Sequence, residues 1–136
     1  MPHPVMYDEH DPWLARLRRL CDRLPESFEK VAHGRPTFRA GEKGKVFAYF
    51  GGGVKHPGGH LRHDAGLLFL PDPADRVALE DDPRTWVPAY LGPSGWLGLD
   101  LDAPDLDWDE VAELLDASYR LVASRTLLAR LDGEAP

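Results

Sequence analysis

"RPTFRAGEKGKVFAYF", Arg35–Phe50, reads as two short strands closed by a turn. RPTFRA and KVFAYF are rich in aromatic and β-branched residues, and the GEKG between them is bounded by glycines, the signature of a hairpin. In KVFAYF, Val46, Ala48 and Phe50 alternate with Phe47 and Tyr49, and both sets are apolar or aromatic. The strand is therefore expected to be covered on both faces. Such a hairpin commits the chain to an antiparallel sheet, and the flanking segments decide what packs on it.

Upstream, "WLARLRRLCDRL" places Trp13, Leu14, Leu17, Leu20 and Leu24 at helical spacing, with Arg16, Arg18, Arg19 and Arg23 off the stripe as a solvated face. Cys21, the only cysteine, borders the stripe and reads as a small buried hydrophobe, so no internal disulfide can form. "LPESFEK" ends this helix at Pro25 and starts an extended segment.

Downstream, "GGGVKHPGGHLRHD" holds five glycines and a proline and is expected to be a loop. "AGLLFLP" reads as a buried strand. Asp72 and Pro73 are expected to cap and open a helix over "ADRVALEDD". "TWVPAYLGPSGW" is an aromatic connection. "GWLGLDLD" alternates, with Trp96 to one side and Leu97, Leu99 and Leu101 to the other, as a half-buried strand does.

The final long helix is announced by Asp107 and Glu110, three apart in the manner of a capping box. Trp108, Val111, Leu114, Leu115, Leu121 and Val122 follow at helical spacing. Asp105, Asp107, Asp109, Glu110 and Glu113 crowd its start, where acids meet the positive end of the helix dipole, and no metal is needed to explain them. A short helix "SRTLLARL", capped by Ser124, is expected to follow. The fold class is α+β: a single antiparallel sheet with the helices packed on one face, because two apolar helix stripes need a shared surface to bury. Residues 1–12 are expected to form a flexible N-terminal segment ahead of one domain over residues 13–131.

At 136 residues, 43% apolar and 29% charged, the chain has the size and composition of one globular domain. It has no apolar run long enough to span a membrane, and "MPHPVMYDEHDPW" lacks the features of a secretory signal, so the expected location is cytoplasmic. The net charge of −7 is unevenly spread. Residues 29–63 carry seven Lys and Arg against two acids, a net of +5, whereas residues 64–136 carry −11. Four of the six histidines, His33, His56, His60 and His63, lie in the basic stretch.

Within that stretch Arg35, Arg39, Lys43, Lys45, Lys55 and Arg62 are the candidate phosphate contacts, because a basic patch on an acidic protein binds phosphates while the rest repels them. The plain alternative is a solvated hairpin whose charges guard an edge strand. His56-x3-His60-x2-His63 offers metal-ligand side chains, but this spacing gathers ligands on one face only in a helix, and "HPGGHLRH" does not favour one. No metal and no cofactor are assigned. No Ser-His-Asp, Cys-His or paired-carboxylate set stands at interpretable spacing, so a non-enzymatic binding domain is expected. The competing site is a pocket for a small anionic or planar ligand, or a protein partner, between the sheet and the C-terminal helix, lined by Trp86, Tyr90, Trp96, Tyr119 and Arg120.

From Leu14 to Ala123 the order of motifs resembles the MmcQ/YjbR family of bacterial proteins. The matching pieces are Gly34-Arg35-Pro36-Thr37-Phe38, Gly44 and Lys45 before Phe47, Gly95-Trp96 with its alternating strand, and Ser118-Tyr119-Arg120. The resemblance implies a frataxin-type (CyaY-like) sandwich with a double-wing arrangement and, by that shape, DNA as the partner. The glycine- and histidine-rich "GGGVKHPGGHLRHD" departs from the family pattern.

Overall fold

The computed structural model describes residues 4–133. Six strands form one sheet: β1 (Ser27–Ala32), β2 (Arg35–Ala40), β3 (Val46–His56), β4 (Gly59–Phe69), β5 (Thr85–Trp86) and β6 (Leu97–Asp100). Their spatial order is β1-β2-β3-β4-β6-β5, with every neighbouring pair antiparallel. Helices α1 (Pro12–Cys21) and α3 (Trp108–Val122) share one face of it, as the two stripes require. Two further short helices are α2 (Arg76–Asp81) and α4 (Arg125–Leu131).

The helix side of the sheet is built from cross-strand rows. Phe38, Ala48, Phe69 and Leu97 stand in register across β2, β3, β4 and β6, and Phe50, Leu67 and Leu99 form the next row. Leu14, Leu17 and Cys21 from α1 and Val111, Leu115 and Tyr119 from α3 close over them, each at most 1% exposed. Burial pushes the Cys21 thiol well up, as expected of a packing residue. Trp13 stacks on Trp108 at 6.4 Å, and the Arg16 guanidinium lies 4.2 Å over the Trp108 ring.

A bulge adjusts the alternation read from KVFAYF. Phe38 pairs with Ala48 but Arg39 pairs with Val46, so Phe47 is the extra residue. Phe47 thereby joins Ala48 and Phe50 in the helix-side core, edge-on to Tyr119 at 5.3 Å, while Tyr49 turns to the opposite face against Trp96. Buried Ser118 locks α3 to the sheet: its hydroxyl donates to the Phe47 carbonyl at 2.6 Å and accepts from the Leu70 N–H at 3.0 Å.

Several local expectations are corrected. "GGGVKHPGGHLRHD" is no loop; it supplies the far half of the β3–β4 hairpin, turning at Pro57 and Gly58. Glycines weaken a strand but still offer both ladder groups, and Pro57 sits in the turn where no ladder donor is needed. The helix expected from Asp72 starts after Asp75; Asp72 instead accepts the Ala74 N–H at 2.8 Å in a turn. Thr85 and Trp86 of the expected connection add an edge strand. Asp107 caps α3 by accepting the Asp109 N–H, but Glu110 does not close a capping box, being hydrogen-bonded to Arg84. Leu115 is at the centre of the α3 stripe; Leu114 is half-buried and Leu121 is 47% exposed. Ser124 caps α4 as expected, accepting the Leu127 N–H at 3.2 Å.

Ahead of α1, residues 1–3 lie outside the described residues. In the rest of the stretch expected to be flexible, the Met6 N–H donates to Gly34 at 2.9 Å, Tyr7 packs against the core, and Asp11 caps the helix.

Candidate functional site

From the Gly52–His63 pair outward the β3–β4 hairpin leaves the sheet. β2 reaches β3 no farther out than Tyr49, and β6 pairs with β4 no farther out than Gly66. The remaining five pairs, Gly52–His63 to His56–Gly59, form a two-stranded ribbon about 16 Å long at ~3.3 Å per residue. Every residue from Lys55 to Arg62 is exposed. One side of the ribbon is steadied by the segment after β5: the Ala89 N–H donates to the Gly53 carbonyl at 2.8 Å, and the Lys55 ammonium lies 5.1 Å over the Tyr90 ring. Val54, Val87, Pro88, Tyr90 and Pro93 border a shallow groove of about 440 Å³ between ribbon and segment.

At the ribbon's base Trp86 crosses the helix-free face of the sheet. It rests on three glycines from three neighbouring strands, Gly52, Gly66 and Gly98. An added Cβ would stand 2.6 Å from Trp86 ring carbons at Gly98 and 2.7 Å at Gly66. The indole N–H donates to Asp100 at 3.2 Å, His63 stacks on the ring at 4.0 Å, and His63 Nδ1 lies 2.8 Å from the same Asp100 oxygen. This glycine floor is the structural reason for part of the glycine enrichment, and sequence reading missed it; the signal was a glycine set next to leucine inside each apolar strand, Gly66 in "AGLLFLP" and Gly98 in "GWLGLDLD".

The six candidate phosphate contacts do not form one patch. Successive hairpin turns lie at opposite ends of an antiparallel sheet, so Lys43 and Lys45 in the β2–β3 turn stand about 33 Å from Lys55, ten residues on along β3. Arg39 belongs with Lys43 and Lys45, and Arg62 with Lys55 on the ribbon. Arg35 is in neither surface group: it is buried, and its guanidinium donates to Asp64 at 2.9 Å. Arg62 donates to the same Asp64 oxygen at 3.0 Å.

Burial pushes the Asp64 carboxyl up, but the hydrogen bonds and charges of Arg35 and Arg62 outweigh it and hold it below the usual carboxylate range. A carboxyl lowered by folding contributes stability that is fully present above its unfolded value, about 4, and is lost as pH falls through the folded value. Asp64→Asn is therefore expected to lower the urea midpoint at neutral pH by the equivalent of about 1 kcal/mol, a figure kept small because the carboxylate is 56% exposed. The two proteins should converge as pH falls below about 4. A gap that persists unchanged into acid would mean that Asp64 acts through packing, not charge.

The aromatic set likewise disperses. Tyr119 is in the core with its hydroxyl donating to Pro25, so the space between sheet and C-terminal helix is filled rather than open. Trp96 is buried against Tyr49, Trp86 lies on the glycine floor, and Tyr90 is 75% exposed beside the ribbon. Arg120 is paired on the surface with Asp116 and Asp132. The structure does not bring these five residues together, because Trp86 and Trp96 lie on the sheet face opposite Tyr119. The three histidines also separate: His56 and His63 share a ribbon face, four positions apart in the ladder, and His60 is on the other, tilted against Tyr90 at 5.7 Å. Among the described residues no helix is long and apolar enough to cross a membrane.

This architecture defines an α+β domain with one antiparallel sheet, a helical layer on one side and a projecting basic ribbon. The YjbR family model matches residues 22–121, and the chain belongs to the YjbR family. Its fold is similar to that in the crystal structure of Deinococcus radiodurans protein DR2400, which carries the family domain DUF419. The two are 20% identical, with a TM-score of 0.57, over 100% of this chain and 92% of that one. No curated protein matches the chain.

Proposed function

We propose that this protein is a non-enzymatic, cytoplasmic domain that binds duplex DNA through the Gly52–His63 ribbon. The observation that carries the reading is the ribbon itself: two strands, free of the sheet, with exposed Lys55, His56, His60 and Arg62 along about 16 Å. The major groove is about 12 Å wide and 8.5 Å deep and admits a two-stranded ribbon. Lys55 and Arg62 would meet phosphates, which position a protein without reading sequence. The acidic remainder of the chain limits affinity, so binding should be weak and fall steeply with salt.

The test is fluorescence anisotropy of a labelled duplex at several salt concentrations. Replacing Lys55 and Arg62 together by Ala should weaken binding on all sequences alike and flatten the salt slope by about two units, one per lost phosphate contact. Absence of binding at about 50 mM salt, where the electrostatic term is large, would end this reading.

A further inference from the structure

A second surface lies on the helix-free face of β1, β2 and β3, away from the ribbon. Strand register brings Phe28 opposite Arg39, Lys30 opposite Thr37, and Thr37 opposite Tyr49. Their common side is fixed by the contrary residues: Glu29 reaches the helical layer, where it receives Arg18 at 2.7 Å, and Phe38 and Ala48 are in the helix-side core. Phe28 and Tyr49 take no part in that core and are half-buried. Arg39 thus lies opposite Phe28 and diagonal to Tyr49, which stands across from Thr37, with Lys30 exposed on the neighbouring strand and Lys45 exposed at the adjoining turn.

The guanidinium of Arg39 is unusual. It makes no hydrogen bond or ion pair among the described residues, although it is half-buried and its Nε is wholly shielded from solvent. A shielded N–H without an acceptor is costly, and in a native structure such a group calls for a specific explanation. Lys30 and Lys45 have no carboxylate partner among the described residues either: Glu29 turns to the helical layer, Glu42 lies in the β2–β3 turn, and Asp64, which reaches this side from β4, is taken by Arg35 and Arg62. Three unpaired cations, Arg39, Lys30 and Lys45, beside aromatic rings are complementary to a chain of phosphates carrying flat, unstacked bases. Duplex DNA buries its base faces in the stack and offers nothing to Phe28 and Tyr49.

We infer that this face binds a single-stranded polynucleotide, with Arg39, Lys30 and Lys45 holding phosphates and Phe28 and Tyr49 stacking on bases. Aromatic stacking of this kind is tolerant of sequence. The inference does not rest on the ribbon reading, and each has its own probe, duplex for the ribbon and single strand for this face.

The experiment titrates the protein into labelled oligothymidylate of about 12 nucleotides, within the span that single-strand-binding sheets cover. Saturable binding is expected, about tenfold weaker in Arg39→Gln and in Phe28→Leu, and unchanged in Arg19→Gln on the helical side. Inorganic polyphosphate should displace the oligonucleotide far less well than unlabelled oligothymidylate does. The exposed pair Lys30→Gln and Lys45→Gln repeats the test if Arg39→Gln or Phe28→Leu fails to fold. No binding at low salt, wild-type affinity in Phe28→Leu, or equal displacement by polyphosphate would overturn the inference.

Discussion

Tyr119→Ala should destabilise the protein by about 3–5 kcal/mol, a large share of the roughly 5–15 kcal/mol that holds a domain of this size folded. Tyr119 is fully buried, its ring meets Phe47 edge-on at 5.3 Å, and its hydroxyl donates to the Pro25 carbonyl at 2.6 Å. Truncation opens a cavity at the centre of the core and leaves that carbonyl without its donor. Tyr119→Phe separates the two effects: it keeps the ring and loses only the hydrogen bond, for about 1–3 kcal/mol. Urea denaturation reads both. A wild-type midpoint for Tyr119→Ala would show that α3 does not seat this ring in the core.

Gly98→Ala should cost about 1–3 kcal/mol, although alanine suits a strand better than glycine does. Backbone freedom is not the reason; the added methyl would stand 2.6 Å from three carbons of the Trp86 indole. The bulky ring must lift, straining its hydrogen bond to Asp100 and its stack on His63. The expected signs are a lower thermal midpoint and a red shift of tryptophan emission. In a Trp86→Ala background the same methyl meets no ring, so the penalty of Gly98→Ala should largely vanish. Full additivity of the two substitutions would remove Trp86 as the cause.

Much of the fold was readable because its determinants are local. The stripes of α1 and α3, the Asp107 and Ser124 caps, the GEKG turn and the Leu97-Leu99-Leu101 alternation each act within a few residues. The misses have physical causes of another range. The ribbon was hidden because composition reports what glycine disfavours, whereas the ladder asks only for main-chain donors and acceptors. The single basic patch failed because the charge of a sequence window ignores which end of the sheet each turn occupies. Arg35 looked like a surface cation until Asp64, 29 positions away, took it inward. The aromatic set dispersed for a related reason: residue type says that Trp86, Trp96 and Tyr119 bury area, but the placement of each on sheet or helix decides on which face. What survives of the candidate site, Arg39 with Lys43 and Lys45 at one end and Lys55 with Arg62 at the other, is the part whose side chains remain at the surface.

The hydrogen bond from Ala89 to Gly53 has a mechanical meaning. Three residues upstream, Trp86 is clamped to its floor, so the strap from Trp86 to Ala89 acts as a short stay rigged between the sheet and the ribbon. A bare hairpin would swing like an unbraced boom; this one has its pitch set from below. Its bearing therefore depends on the seating of an indole over Gly98, two strands away in the sheet, and a substitution there would re-aim the basic tip without touching a single residue of it.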